Sequence, residues 1–283
     1  MKIAFVILQY LLPQQLLSRL VGRLAECQTP WLKNLLIKQF IQRYKVNMAE
    51  AIEGEAESYP NFNAFFTRAL KADARPICAD ENSAACPADG AISQIGSIAS
   101  ARILQAKGQD YSLSQLLGGD EALASQFRDG AFATIYLSPK DYHRVHMPLD
   151  GELRQSIYVP GQLFSVNQTT AENVNSLFAR NERLICLFDT PAGPMAMILV
   201  GAMIVAGIET VWAGQVAPPP RQLTRVEYPR SESISLKKGE EMGRFKLGST
   251  VILLFAKDRM DWDSKFTATS PTRLGEKLGE RKG

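Results

Sequence analysis

The chain has 283 residues, 46% apolar and 22% charged, with a net charge of +3. That is an ordinary balance for a folded globular chain of one large domain, or one domain with an accessory segment, and it argues against disorder. The charge is too small to argue for nucleic acid, and no fixed-period repeat or low-complexity tract is present.

The chain opens on an apolar run, Ile3 to Leu12, interrupted by Gln9. Pro13 stops it, Arg19 and Arg23 follow, and no small-x-small cleavage site appears. The run is about half of the roughly 20 residues a spanning helix needs. Neither a signal peptide nor a transmembrane helix is expected, and the chain is expected to stay in the cytoplasm. Leu16, Leu17, Leu20, Val21 and Leu24 then predict one apolar helical face over 14–25. Thr29-Pro30 reads as an N-cap with proline at the first helical position, and Leu32, Leu35, Leu36, Phe40 and Tyr44 continue at helical spacing. Residues 1–45 hold seven Lys or Arg against the single acid Glu26, a local charge of +6. Two readings are open for such helices. They pack on the main domain, or they lie in an anionic membrane surface.

From about residue 85 short β-branched runs alternate with Gly and Pro. Strands are expected at Ala131–Leu137 and Glu152–Val159, with buried strand material over Ile198–Trp212. Arg244–Leu247 and Thr250–Phe255 read as two strands, or one bent strand, meeting at Gly248-Ser249. The expected fold class is α+β, with amphipathic helices over 1–45 and a mainly β body over 46–283. The cysteines, Cys27, Cys78, Cys86 and Cys186, show no metal-ligand spacing and lie away from both histidines. No metal site is expected, and a reducing compartment is.

Three places can carry chemistry. Both histidines of the chain, His143 and His146, lie in YHRVHMP (142–148), so any imidazole base is one of these. Pro139 and Pro148 argue against a helix there, and in an extended segment positions three apart face opposite sides. PADG (87–90) offers Asp89, either a turn residue or a carboxylate that orients a histidine. Gly248-Ser249-Thr250 lacks the GxSxG elbow of hydrolases. Glycine before serine does leave the Gly248 carbonyl open to close approach, so Ser249 could attack its own preceding peptide bond.

FNAFFTRAL (62–70), PADG, YHRVHMP, FARNERLICLFDT (178–190), IETVWAG (208–214) and KGEEMGRFKLGST (238–250) occur in this order. Together they resemble the bacterial phosphatidylserine decarboxylase proenzymes, over residues 5 to 256; the stretch 257–283 is undistinctive. FKLGST matches the family's self-cleavage motif, and Asp89, His143, His146 and Ser249 carry over one by one. The resemblance implies that Ser249 Oγ attacks the Gly248 carbonyl while His146, held by Asp89, takes its proton. Elimination from the resulting ester leaves dehydroalanine, which hydrolyses to a pyruvoyl group and ammonia. The implied products are a β chain, 1–248, and an α chain, 249–283, that begins with pyruvoyl. This covalent cofactor forms a Schiff base with the amine of phosphatidylserine, and His143 assists protonation after carbon dioxide leaves. Phosphatidylethanolamine is the product, and the enzyme is a carbon–carbon lyase of phospholipid biosynthesis. The resemblance further implies a homodimer of αβ units. A two-tailed substrate turns the reading of residues 1–45 toward docking, peripherally, on the cytoplasmic side of the cell membrane.

Two rival readings stand beside this one. A serine hydrolase would employ Ser249, His146 and Asp89 on an external ester and remain one chain. HMPLDGEL (146–153) with VPGQLFSV (159–166) resembles the half-motif of lipoyl and biotinyl carriers, but no attachment lysine hairpin accompanies it. That likeness predicts a lipoyl-domain-like local β topology, not carrier function.

Overall fold

The computed structural model describes residues 2–106, 108–203, 207–217, 222–247 and 249–282, with the main chain alone at 2–4, 232 and 249. Three helices come first: α1 (Lys2–Leu11), α2 (Gln14–Ala25) and α3 (Pro30–Tyr44). Pro13 separates the first two because its ring cannot continue a helix, and Pro30 opens the third, where its missing N–H is not needed. The short helix α4 (Phe62–Phe66) is capped by Asn61, whose Oδ1 accepts from the Ala64 N–H at 2.8 Å. Its Phe62, Phe65 and Phe66 pack with Ile37 and Phe40 of α3 into a small aromatic cluster.

The body is β. In chain order its strands are β1 (Ser83–Ala85), β2 (Gly90–Ser97), the hairpin β3 (Arg102–Ala106) and β4 (Gln109–Ser112), β5 (Ala131–Leu137) and β6 (Arg144–His146). Then follow β7 (Gly151–Val159), β8 (Arg183–Thr190), β9 (Gly193–Gly201), β10 (Gly207–Thr210), β11 (Gly214–Ala217) and β12 (Thr224–Glu227). The last are β13 (Ser235–Leu236), β14 (Glu241–Lys246), β15 (Ser249–Phe255), β16 (Met260–Trp262), β17 (Pro271–Thr272) and β18 (Lys277–Arg281). Among the described residues the main sheet has nine strands, in the order β12-β7-β8-β9-β15-β5-β2-β17 with β13 beside β7. A smaller sheet runs β11-β10-β14-β6, and a third runs β1-β18-β16.

Strand β15 is the middle of the molecule. It pairs antiparallel with β5 on one side and β9 on the other. Val251, Leu253 and Phe255 enter the core on one face of the sheet, Ile252 and Leu254 the core on the other. An unbroken apolar run is what a strand covered on both faces requires. Fully burying each such side chain is worth roughly 1.5–3 kcal/mol.

The α+β expectation holds: helices lead and a mostly β body follows. The strand material expected over Ile198–Trp212 is divided between two strands and a turn. Strand β9 ends at Gly201, β10 starts at Gly207, and Val211–Ala213 is a turn closed by the Ala213 N–H on Thr210 Oγ1 at 3.2 Å. Gly201 and Gly207, the breaks in that apolar run, are the strand ends; the turn at 211–213 is the part that apolar content does not reveal. Arg244–Leu247 and Thr250–Phe255 are two strands, in different sheets. The helices are tied to the body by partly buried polar contacts. Gln9 Oε1 accepts from the Ser165 N–H at 2.8 Å, and Gln14 Oε1 from the Leu163 N–H at 2.7 Å. Among the described residues no helix is long and apolar enough to cross a membrane.

Candidate active site

The chain passes from the small sheet to the main sheet between β14 and β15. Leu247 makes the crossing with a φ of 77°, unusual and strained for a side chain of its size. Ser249 opens β15, opposite Leu137 of β5 and Gly201 of β9. One residue on, Thr250, Tyr136 and Ala91 lie side by side across β15, β5 and β2. Asp89, just before β2, therefore sits at the same end of the sheet as Ser249, two strands away, on the order of 10 Å between backbones. Gly248 lies outside the described residues, so the expected cleavage bond is placed only by its neighbours Leu247 and Ser249.

The histidines reach this end because β5 stops at Leu137, beside Ser249. The next turn is closed by Asp141, whose Oδ2 accepts from the Ser138 N–H and hydroxyl, both at 2.7 Å. Burial pushes this carboxyl above its ordinary pKa. The turn delivers Tyr142 and His143, and β6 then joins the small sheet, with the Phe245 N–H donating to the His143 carbonyl at 3.0 Å. PADG lies against β6: the His146 N–H donates to the Pro87 carbonyl at 2.9 Å. Asp89 does not make an open turn. Gly90 already belongs to β2, and a Cβ there would meet the Tyr136 carbonyl oxygen at 2.2 Å, so glycine is what lets the two strands close.

The Asp89 carboxylate is fully engaged. Arg75 Nε donates to both oxygens, at 2.9 and 3.0 Å, and Nη2 to Oδ2 at 2.5 Å. The Leu274 N–H donates to Oδ1 at 2.8 Å. Arg75 also reaches Glu50 Oε2 at 2.9 Å. Burial works against its charge, but the bonds to Asp89 and Glu50 win and hold its pKa above the ordinary arginine value. Neither ring nitrogen of His146 bonds Asp89: Nδ1 lies 2.8 Å from the Gly239 carbonyl and Nε2 3.3 Å from the Tyr142 hydroxyl. Burial lowers the His146 pKa; the bond to the Gly239 carbonyl and, after it, the negative charges of Glu241 and Asp89 oppose that shift without overcoming it. Tyr142 is pushed up to about 12 by burial, so its hydroxyl keeps its proton at neutral pH.

His143 is entirely buried, its ring 4.0 Å from that of Phe66. Its Nδ1 is 2.8 Å from the Asp141 carbonyl, and its Nε2 has no hydrogen-bond partner. Burial lowers its pKa to about 3, and the nearby Arg68 cation adds to the effect. Burial therefore favours the neutral imidazole at rest.

Sequence reasoning passed over Arg75, Tyr142 and Gly239. Arg75 carried no motif signal of its own. Tyr142 and Gly239 lie inside YHRVHMP and KGEEMGRFKLGST, beside the histidines and ahead of the serine. Beside the crossing lies an apolar cavity of about 720 Å³, lined among others by Val21, Leu24, Leu36, Phe40, Phe62 and Leu247.

A serine at a strained sheet crossing, with one buried and one partly buried imidazole and an arginine-bound carboxylate at the same end, defines an enzyme-type site on an α+β scaffold. The family model for phosphatidylserine decarboxylase matches residues 62–280, and a second model, described as PSD, matches 4–45. The phosphatidylserine decarboxylase proenzyme of Azotobacter vinelandii (strain DJ / ATCC BAA-1303) is 58% identical over 278 residues, covering 98% of this chain and 97% of that protein. The proenzyme of Pseudomonas putida (strain W619) is 60% identical over 276 residues, 97% and 96% of the two chains. That of Alcanivorax borkumensis (strain ATCC 700651 / DSM 11573 / NCIMB 13689 / SK2) is 59% identical over 276 residues, 97% and 95%. The chain belongs to the phosphatidylserine decarboxylase family, and it is an enzyme.

Proposed function

We propose that this chain cuts itself once between Gly248 and Ser249 and then decarboxylates phosphatidylserine to phosphatidylethanolamine. The observation that carries the reading is the position of Ser249, at a strained crossing between sheets and at the end of the molecule that holds Asp89, His143 and His146. In the cut, the Ser249 hydroxyl is the nucleophile and His146 takes its proton. Asp89 supplies a fixed negative charge near the imidazole, which favours the imidazolium formed as the proton arrives. Ester formation, elimination and hydrolysis convert the serine into a pyruvoyl group and release ammonia.

A pyruvoyl group at position 249 would supply the carbonyl that condenses with the substrate's amine and draws off electrons as carbon dioxide leaves. The residues present fit it. It would begin a strand paired on both sides, which holds a chain end still, and the water-free surroundings of His143 suit loss of a carboxylate. We assign His143 to proton handling in turnover. Its unpartnered Nε2 has to gain a proton before it can give one.

The helices 1–45 are proposed to dock on an anionic membrane surface, peripherally and from the cytoplasmic side. Supporting this are the exposed Phe5, Ile7, Leu8, Leu11, Leu16, Leu20, Leu24, Trp31 and Leu35 beside a local charge of +6. The apolar cavity that ends at Leu247 would let an acyl chain pass from that surface to the cut site. A homodimer of αβ units and a lipoyl-like β topology around 146–166 stay within this proposal. The topology rests on the four-residue bend, 147–150, between β6 and β7.

Intact-mass measurement and a denaturing gel test the reading. We expect two chains, the smaller starting at residue 249, blocked to N-terminal sequencing and lighter than encoded. A single full-length chain with decarboxylase activity, or normal processing of Ser249→Ala, would refute it.

A further inference from the structure

We propose that the Gly239 carbonyl is the group that orients His146 for self-cleavage: it accepts the Nδ1–H hydrogen bond and leaves Nε2 as the unprotonated, basic nitrogen. The inference rests on the reading of His146 as the base of the cut. A carbonyl oxygen can only accept, so a ring nitrogen 2.8 Å from it must carry the proton. On the other side of the ring the Tyr142 hydroxyl, 3.3 Å from Nε2, then acts as donor.

The carboxylate expected to do this work is occupied. Asp89 accepts two N–H groups of Arg75, one of them shared between its oxygens, and the Leu274 N–H, so its carboxylate is turned to these partners and not to the imidazole. The Gly239 carbonyl, by contrast, is built into place. Lys237–Glu240 is a β-turn, closed by the Glu240 N–H on the Lys237 carbonyl at 2.9 Å. Gly239 holds its third position with a φ of 84°, the conformation that a type II turn demands and that favours glycine. A Cβ at this position would also come within 2.7 Å of Ile77. Three contacts lock the turn onto the histidine segment. The Gly239 N–H donates to the Met147 carbonyl at 2.9 Å and the Met147 N–H to the Glu240 carbonyl at 2.8 Å. The Lys238 N–H donates to Asp150 Oδ1 at 2.8 Å. Met147 follows His146 directly, so the imidazole and its acceptor are carried on one hydrogen-bonded ladder. This gives the KGEE part of the motif a role: it is the bracket for the base.

A carbonyl stabilises an imidazolium less than a carboxylate would, so the base is weaker than in a hydrolase triad. An enzyme that uses this base once per lifetime can accept a slow step. Asp89 then acts on His146 as a charge at a distance, not as its hydrogen-bond acceptor.

The test is nuclear magnetic resonance of the full chain with ¹⁵N-labelled histidine in the uncut Ser249→Ala precursor. The chain has two histidines, so two imidazoles appear, and His143→Phe assigns them. We expect His146 to carry its proton on Nδ1 at neutral pH, and to keep it there when Asp89→Asn is added. A proton on Nε2, or a tautomer that changes with Asp89→Asn, overturns the proposal. Alongside, Gly239→Ala is made with Ser249 intact. We expect cleavage slower by on the order of tenfold or more, together with loss of the Nδ1–H signal in the matching uncut chain. Normal cleavage, or slow cleavage with the tautomer retained, also overturns it. His146→Ala separates the two claims: if that variant cuts normally, the base is misassigned whatever its tautomer.

Discussion

Acidifying the uncut chain from pH 7 to pH 5 should weaken its folded state through His143 in particular. The ring is fully buried, and its pKa falls from 6.5 to about 3. Between those two values the unfolded chain binds a proton that the folded chain refuses. Stability therefore rises with pH through this window and is lost as pH falls below 6.5. Integrating the proton difference from pH 7 to 5 gives a loss of about 2 kcal/mol. His146 works in the same direction, and the raised Asp141 carboxyl works against it at the acid end. Both are common to parent and variant, so a difference measurement removes them. The assay is urea unfolding of Ser249→Ala and of Ser249→Ala with His143→Phe, each at pH 7 and pH 5. The phenyl ring keeps the packing against Phe66 and does not titrate. We expect the parent to lose about 2 kcal/mol more than the variant over this range. Equal losses would mean that His143 is not held neutral, and the account of its surroundings would fall with it.

Other outcomes follow from the same geometry. Arg75→Met should leave the Asp89 carboxylate without its main partner; we expect loss of on the order of 3 kcal/mol in unfolding experiments, because a buried charge is stranded. Leu253→Ala, in the centre of β15, should cost about 2–5 kcal/mol by urea unfolding. Leu11→Asp with Leu20→Asp should weaken co-sedimentation with anionic vesicles without changing the far-ultraviolet circular dichroism, and unchanged sedimentation would count against docking through these helices. His146→Ala and Asp89→Asn should both accumulate uncut chain on a denaturing gel.

Local patterns in the sequence predicted local structure well. The apolar stripe of Leu16, Leu20 and Leu24 and the Thr29-Pro30 start locate α2 and α3, since helix periodicity and proline act within a few residues. Ala131–Leu137 is read to the residue because its β-branched run ends at clear turn signals. What could not be read was made by distant parts of the chain. Arg75 meets Asp89 from 14 positions away and Glu50 from 25. The Gly239 carbonyl meets His146 across 93 positions, and a main-chain acceptor leaves no trace in residue type. The stretch 257–283, undistinctive as sequence, turns out to supply β16, β17 and β18 and the Leu274 N–H on Asp89. Backbone groups do that work, so side-chain patterns are silent about it.

The placement of β15 fixes an order of events. Its two neighbours, β5 and β9, come from the part of the chain before Ser249, and β18 further along lies between β1 and β16. A fragment 249–283 is thus threaded through two sheets. It could not be laid in afterwards without first opening both, and it would not drift away once severed. Folding has to finish before the proposed cut, and the cut then leaves an interlocked pair of chains held by strand ladders and buried side chains, with no covalent link left to guide reassembly. A sample unfolded after processing should therefore refold far less readily than the same chain unfolded before it.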